Sequence, residues 1–123
     1  MLNSYKELIV WQKSFELTKK IYKITDNFPK SEIYGLMSQM RRAAVSIPSN
    51  IAEGFVRKHK KEFSQFISIA FGSGAELETQ LLLSKELEYI TDKDFFELNC
   101  LLEEVMKMLN SLKSKLTNLV ANY

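Results

Sequence analysis

The sixteen residues from Gln39 to Gly54 read QMRRAAVSIPSNIAEG, and the rest of the chain is arranged around them. Their polar side chains recur at steps of three or four residues, which places them on one face of a helix. These side chains are of the kinds that make directed hydrogen bonds, unlike the Lys and Glu of an ordinary solvated face. Extended by one turn, this polar stripe consists of Gln39, Arg42, Ser46, Asn50, Glu53 and Arg57.

A second stripe, made of apolar and small residues, runs beside the polar one and predicts the buried face of the helix. Pro48 lies within the same helix, where its missing N–H and its ring cost about 3 kcal/mol if the helix is straight. We expect a kink near Pro48, with Ser46 or Ser49 satisfying the carbonyl that the proline leaves free. The apolar stripe consists of Leu36, Met40, Ala43, Ile47, Ile51 and Gly54.

The composition predicts an all-α protein. Only 4 glycines and 2 prolines interrupt a chain that is rich in Leu, Lys, Glu and Ser, and no alternating β-branched run occurs. The 123 residues suffice for one domain with a sizeable core. We therefore expect a single four-helix-bundle domain over residues 1–123, in which residues 1–7 form a short N-terminal arm.

Spacing and capping signals predict the ends of the first two helices and the start of the last. Apolar residues at heptad steps indicate a first helix from Leu8 to Phe28, ended by the following proline. Ser31 is the predicted N-cap of a second helix that runs to Arg57. Thr91, followed by Asp94, predicts a capped fourth helix. Its apolar seam keeps strict three-four spacing through Phe95, Leu98, Leu102, Val105, Leu109, Leu112, Leu116 and Leu119.

Four amphipathic helices with short links predict an antiparallel up-down-up-down four-helix bundle. The third helix carries Gly72, Ser73 and Gly74, and because each glycine costs about 1 kcal/mol relative to alanine, we expect the second helix to pass close by. In that arrangement Arg42 or Arg41 could reach across to the third helix, in a partly buried polar network. Its predicted structural members are Gln39, Arg42, Ser46, Asn50, Glu53 and Glu76.

The basic run from Arg57 to Lys61 has two interpretations. Basic residues at the end of a helix complement its dipole, and the same residues can also contact phosphates. The formal net charge of +2 demands no anionic partner, so that a nucleic-acid argument must rest on local clustering. The candidate nucleic-acid-binding residues are Arg41, Arg57, Lys58, Lys60 and Lys61.

The sequence gives no indication of an enzyme, a metal or a cofactor. The single histidine, His59, is not preceded by a Glu at three residues, which excludes a di-iron carboxylate bundle. The single cysteine, Cys100, is expected to be a small packing residue and not a nucleophile. No signal peptide or membrane span is indicated, so that we expect a cytoplasmic protein without a membrane or small-molecule partner.

Several motifs closely resemble one family, the four-helix-bundle proteins encoded by intervening sequences of bacterial large-subunit rRNA genes. They are VWQK at residues 10–13, FP at 28–29, YGL at 34–36, RRAAVSIPSNIAEG at 41–54, and GS at 72–73 followed by ELE at 76–78. A distant relative of that family is the accessory variability determinant protein of diversity-generating retroelements. The resemblance implies a closed bundle that assembles into a homopentameric ring. In the retroelement relatives, the basic surface of the ring is associated with nucleic acid and a reverse transcriptase.

Three hypotheses follow. The first is a non-enzymatic, homo-oligomeric bundle, pentameric by resemblance, that binds RNA or a nucleic-acid enzyme. The second is a protein-interaction scaffold with no nucleic-acid role. Its contact surface would consist of apolar residues outside the main seams, such as Ile33, Met37 and Phe96. The alternative interpretation is that these residues widen the core. The third is an enzyme of unknown type. Salt separates the first two, because phosphate contacts weaken steeply with salt and apolar contacts do not.

Overall fold

The computed structural model describes residues 2–121, with the side chains of residues 2–118. Within this part of the chain the regular structure is helical, without strands, and the predicted all-α four-helix bundle is confirmed. Leu119, the last residue of the predicted seam, lies outside the described side chains. The helices are α1 (Ile9–Thr25), α2 (Leu36–Val56), α3 (Lys60–Glu86) and α4 (Asp92–Ala121), and short 3-10 turns at Tyr5–Glu7 and Lys30–Glu32 precede the first two.

The four helices surround one core. Helix α1 packs against α2 and α4, and α3 packs against the same two helices on the other side. Residues of α2 meet residues of α3 in opposite chain order, since Met40 contacts Ser84 and Gly54 lies beside Phe63. The up-down-up-down order of the whole bundle and the kink at Pro48 stay predictions. The largest fully buried side chains are Leu17, Ile21, Met40, Ile47, Ile51, Ile67, Leu77, Leu81, Leu102, Val105 and Leu109.

Pro48 is buried inside α2, which continues through it to Val56. A residue with an N–H at this position would bond to the carbonyl of Ala44, four residues earlier. In its place the hydroxyl of Thr18 on α1 lies 3.0 Å from the Ala44 oxygen, and it shares its single proton between this oxygen and the carbonyl of Ser14 at 2.8 Å. The expected compensation by the neighbouring serines is therefore wrong. The donor comes from another helix, so that the proline helps to join α1 and α2.

The start of α2 corrects the prediction of Ser31 as its N-cap. The chain makes a 3-10 turn through Ser31, and the α-helix begins only at Leu36. The carboxylate of Glu32 accepts the Leu36 N–H at 2.9 Å and so performs the capping. A Cβ on Gly35 would lie 2.7 Å from that carboxylate, so that the glycine gives Glu32 the room to fold back. Helix α1 likewise ends at Thr25, one turn before the predicted end.

The prediction for the start of α4 is confirmed. The hydroxyl of Thr91 accepts the N–H of Asp94 at 3.1 Å, and α4 begins at the next residue after Thr91. The arm folds onto the bundle, where the ring of Tyr5 lies 5.4 Å from that of Trp11. Met1 lies outside the described residues.

The glycines of α3 do not face α2 as expected. A Cβ on Gly74 would meet Met106 of α4, and one on Gly72 would meet nothing within 4 Å. The close approach of α2 and α3 depends on Gly54 instead. A Cβ there would lie 2.7 Å from the Cβ of Phe66 and 2.9 Å from the Cδ1 of Phe63, distances that side chains do not tolerate. Of the three small residues of α3, Ser73 meets α2 as expected, Gly74 meets α4, and Gly72 has open space beside it.

We predict that Gly54→Ala destabilises the protein by about 1 to 3 kcal/mol, because the added methyl overpacks the contact with two phenylalanines. Gly72→Ala is the matched control, since its methyl enters open space and alanine favours the helix by about 1 kcal/mol. Urea unfolding of the two variants and the wild type measures both changes. A Gly54→Ala variant as stable as the Gly72→Ala variant would contradict the close approach.

At the end of the bundle away from Gly54, Glu32 joins the connection between α1 and α2 to the connection between α3 and α4. Its second carboxylate oxygen accepts the hydroxyl of Tyr89 at 2.9 Å, and the ring of Tyr89 lies 5.3 Å from that of the buried Phe28. The hydrogen bond to Glu32, with burial and the negative charge of Glu32, raises the pKa of Tyr89 above its ordinary value of 10.0. The folded state therefore keeps Tyr89 protonated at a pH at which the unfolded chain loses the proton.

This shift predicts a loss of stability at alkaline pH. The contribution of Tyr89 is fully present below about pH 10, and it is lost as the pH rises through the folded-state pKa. We expect Tyr89→Phe to lose less of its free energy of unfolding than the wild type between about pH 8 and about pH 11. Tyr34→Phe is the control, because Tyr34 is 96% exposed. Identical pH dependence in all three proteins would exclude a role for Tyr89.

Candidate nucleic-acid interface

The predicted basic run forms the exposed connection between α2 and α3. Arg57 follows the last residue of α2, and Lys60 and Lys61 lie in the first turn of α3. Lys58 has a φ of 63°, a left-handed conformation that lets the chain reverse within three residues. All five residues from Arg57 to Lys61 are exposed. The reversal places four cationic side chains at one end of the bundle.

These four cationic side chains differ in the contacts that they make within the protein. The guanidinium of Arg57 pairs with Glu53 at 3.0 Å and lies 5.2 Å from the ring centroid of Phe66. Lys58, Lys60 and Lys61 form no ion pair or side-chain hydrogen bond within residues 2–118. Three ammonium groups are thus available for an anion, next to an arginine that is already oriented.

Arg41 does not join them. It lies sixteen residues before Arg57, or about 24 Å along the helix. Its guanidinium donates to the hydroxyl of Thr25 at 2.9 Å, the carbonyl of Tyr22 at 3.0 Å and the carboxylate of Asp26 at 2.8 Å. The side chain is only 23% exposed. Arg41 therefore ties α2 to the last turn of α1, and the structure does not bring it together with the other candidates.

The fold adds lysines that sequence reasoning missed. The final turns of α4 lie beside the start of α3, where the hydroxyls of Thr117 and Ser64 are 3.4 Å apart. Lys107 and Lys115 border a groove between α4 and the start of α1, and Lys58 borders another beneath the arm. The predicted antiparallel order of the helices already implied that the end of α4 lies beside the start of α3. The sequence-based prediction nevertheless considered only the contiguous basic run from Arg57 to Lys61.

The charges of the protein are separated along the bundle. The half formed by residues 2–13, 50–68 and 107–121 holds nine basic and three acidic residues, a net charge of +6. The half formed by residues 14–49 and 69–106 holds eight basic and twelve acidic residues, a net charge of −4. We call the first half the basic end and the second the acidic end. The overall charge of +2 conceals this separation.

Part of the polar stripe forms a hydrogen-bonded cluster between α2 and α3. The hydroxyl of Ser46 lies 2.8 Å from that of Ser73, which is buried on α3. The amide of Asn50 donates to the carbonyl and the hydroxyl of Ser46 at 2.7 and 2.9 Å. Glu53 extends the row by its pair with Arg57. Of these contacts, the one between Ser46 and Ser73 joins α2 to α3, and the others lie along α2.

The remainder of the predicted network is not formed within the chain. Gln39, Arg42 and Glu76 are exposed, and none of them makes a side-chain hydrogen bond or ion pair within residues 2–118. The expected contact between Arg42 and Glu76 is therefore absent from the single chain, and the role of these residues stays a prediction. One turn beyond Glu76, the buried amide oxygen of Gln80 has no partner in the described part of the chain.

The residues considered for catalysis lie apart. His59 is exposed in the connection between α2 and α3, whereas Cys100 is exposed on α4. The prediction that Cys100 packs in the core is wrong, because the core at this level of α4 is filled by Leu98 and Leu102. Among the described residues no group of three or more His, Cys, Asp or Glu side chains could hold a metal ion. No described helix is apolar over a length that would cross a membrane.

Comparison with known proteins identifies a family model and similar solved structures. Residues 6–111 match the family model described as 23S rRNA-intervening sequence protein. A crystal structure of a protein of unknown function from the S23 ribosomal protein family of Bacteroides thetaiotaomicron is similar in fold and sequence, with a TM-score of 0.77 and 29% identity. The similarity covers 85% of this chain and 98% of that one. No curated protein matches the chain significantly.

The cluster between α2 and α3 predicts energetic coupling between Ser46 and Ser73. Each single change to alanine leaves a hydroxyl without its partner, whereas the double change removes both groups. We expect the cost of the double variant to fall short of the sum of the single costs by about 0.5 to 1.5 kcal/mol. A urea-unfolding double-mutant cycle measures this difference. Additive costs would show that the two hydroxyls do not interact.

Proposed function

This chain belongs to the family of 23S rRNA-intervening sequence proteins, and from that premise we propose that it is a non-enzymatic, homo-oligomeric helical bundle that binds RNA through its basic end. The observation that carries the proposal is the excess of six positive charges in one half of the molecule. Its exposed lysines form no ion pair within residues 2–118, so that they can exchange their counterions for phosphates. The proposed place of action is the cytoplasm, where ribosomal RNA is found.

The chemistry of the basic end favours contact with the RNA backbone over reading of bases. Lys58, Lys60 and Lys61 present point charges, and an ammonium group neutralises phosphate without selecting a base. The described part of the basic end has no row of exposed aromatic side chains on which single-stranded bases would stack. We therefore propose a structured or double-stranded RNA, recognised by the spacing of its phosphates.

Self-association multiplies such contacts. A homo-oligomer presents one copy of the basic end for each chain, and linked weak sites bind far more tightly than one site alone. The family resemblance implies five copies in a ring, and we propose that number. A ring of five would repeat the net charge of +6 at each basic end. The assembly thus compensates for a patch that contributes only a few phosphate contacts for each chain.

A protein-interaction scaffold is the second candidate. Ile69, Leu82, Leu83 and Leu87 on α3 and its end are between 46% and 51% exposed. Leu82, Leu83 and Leu87 lie close together in the chain, and contiguous exposed apolar side chains are a feature of protein-protein contact surfaces. In the first hypothesis such a surface would bind another copy of this chain, and in the second it would bind a different protein. The presence of the surface alone therefore does not distinguish the two hypotheses.

Fluorescence anisotropy of labelled 23S rRNA fragments tests RNA binding. With four phosphates neutralised by the connection of each chain, the wild type should lose affinity with a slope of about −3.6 in log-log units, or about 100-fold between 50 and 200 mM salt. A variant with Arg57, Lys58, Lys60 and Lys61 changed to Glu should lose binding at both salt concentrations.

The matched control changes Lys20, Lys23, Lys30 and Lys93 to Glu, which alters the net charge equally at the acidic end. These four lysines are exposed and unpaired within residues 2–118. Retention of binding by this control locates the site at the basic end. Equal losses in both variants would contradict a local site, and no binding by the wild type would favour the scaffold.

A further inference from the structure

The outer surfaces of α2 and α3 are poor in charge. Of the exposed residues from Ser38 to Ser49 on α2, Arg42 alone is charged, and of those from Gln65 to Leu83 on α3, Glu76 alone is charged. We call this surface the α2/α3 face. Its exposed residues are Ser38, Gln39, Arg42, Val45 and Ser49 on α2, and Gln65, Ile69, Gly72, Glu76, Thr79 and Leu83 on α3, whereas Phe71, Ala75 and Leu82 lie on the side of α3 opposite to Ser73, which meets α2.

The other two helices show the ordinary surface of a soluble bundle. Four of the seven exposed residues from Gln12 to Lys23 on α1 are charged, as are five of the seven from Lys93 to Lys107 on α4. Depletion of charge, with apolar side chains left exposed, distinguishes the centre of a protein contact from the rest of a surface. The contrast within one molecule therefore marks the α2/α3 face as the surface that becomes covered.

The two charges on this face have opposite signs and no partner within the described chain. Ser46 meets Ser73 at 2.8 Å, and Arg42 and Glu76 lie one turn from these serines, at a similar height on the bundle. Arg42 lines a groove on the outside of α2, whose apolar lining includes Ile33 and Val45. In a ring, one side of each copy contacts a different side of the next, so that Arg42 on α2 can meet Glu76 on α3 of a neighbouring copy at the same height.

We propose that the α2/α3 face binds a second copy of this chain, with Arg42 of one copy paired with Glu76 of the partner subunit. This inference rests on the self-association in the proposed function and identifies the surface responsible for it. The apolar side chains exclude water from the contact, and the ion pair fixes its register, because a sliding of the helices would leave both charges buried without partners. The partner is a copy of the chain, not an RNA, since the face carries only one exposed cation.

Charge exchange tests the pairing without any RNA. Sedimentation velocity over a range of concentrations gives the dissociation constant of the assembly for Arg42→Glu, Glu76→Arg and the variant with both changes. Each single change places like charges together and should raise the dissociation constant by about tenfold or more. The double change restores opposite charges and should return it to within about threefold of the wild-type value.

Lys20→Glu and Glu97→Arg are the controls, because both residues are exposed and line a groove between α1 and α4, away from the α2/α3 face. They should leave the dissociation constant unchanged. Circular dichroism should show native helix content in all variants, since Arg42 and Glu76 make no contact that the single chain needs. An assembly that tolerates the single changes, or that the double change does not restore, would overturn the pairing while leaving RNA binding untouched. A wild type that stays monomeric would overturn the proposed self-association as well.

Discussion

The carbonyl oxygen of Ala44, which Pro48 deprives of its helical donor, is the point from which the packing of α2 can be understood. A buried carbonyl without a donor costs about 1 to 3 kcal/mol, and the hydroxyl of Thr18 on α1, which also faces the carbonyl of Ser14, offsets part of this cost. On the opposite side, Gly54 lets the phenylalanines of α3 approach closely. Two features thus position helix α2: the hydrogen bond to the carbonyl of Ala44 and the absence of a side chain on Gly54. Both depend on the stretch from Gln39 to Gly54.

This placement of α2 determines the geometry of the candidate site. Gly54 lies only three residues before Arg57, so that the closest contact of α2 and α3 adjoins the basic connection. The chain has little freedom there, and the positive φ of Lys58 completes the reversal. Lys60 and Lys61 therefore project from the first turn of a helix whose start is fixed by packing. A rigid scaffold with flexible lysine side chains suits phosphates whose spacing varies little along an RNA helix.

Much of the fold was predictable from local signals. Heptad spacing gave the buried faces, and the hydroxyl of Thr91 caps α4 as expected, because these features depend on neighbouring residues alone. The start of α2 was missed because Glu32, a residue from the preceding turn, caps it in place of Ser31. The partner of the Ala44 carbonyl was missed because it comes from α1. Contacts between elements are not encoded in the spacing of one helix.

The candidate site was predictable to a smaller extent for the same reason. A contiguous run of cations is visible in the sequence, whereas Lys107 and Lys115 join the basic end only when α4 packs against the start of α1. Arg41 was grouped with the cations by residue type, yet its guanidinium has three partners at the end of α1. Whether a charge is free or consumed depends on the tertiary structure. The polar stripe likewise contains both hydrogen-bonded and free side chains: Ser46 and Asn50 form hydrogen bonds, whereas Arg42 is exposed.

The separation of charge between the two ends also gives the whole bundle an electric dipole parallel to its helices. A molecule with such a dipole rotates in the field of a polyanion before it makes any contact, so that encounters are oriented with the lysines leading. The same asymmetry would let the protein adsorb to both cation and anion exchange resins at neutral pH, through opposite ends. Its isoelectric point therefore says little about how it behaves next to a charged surface.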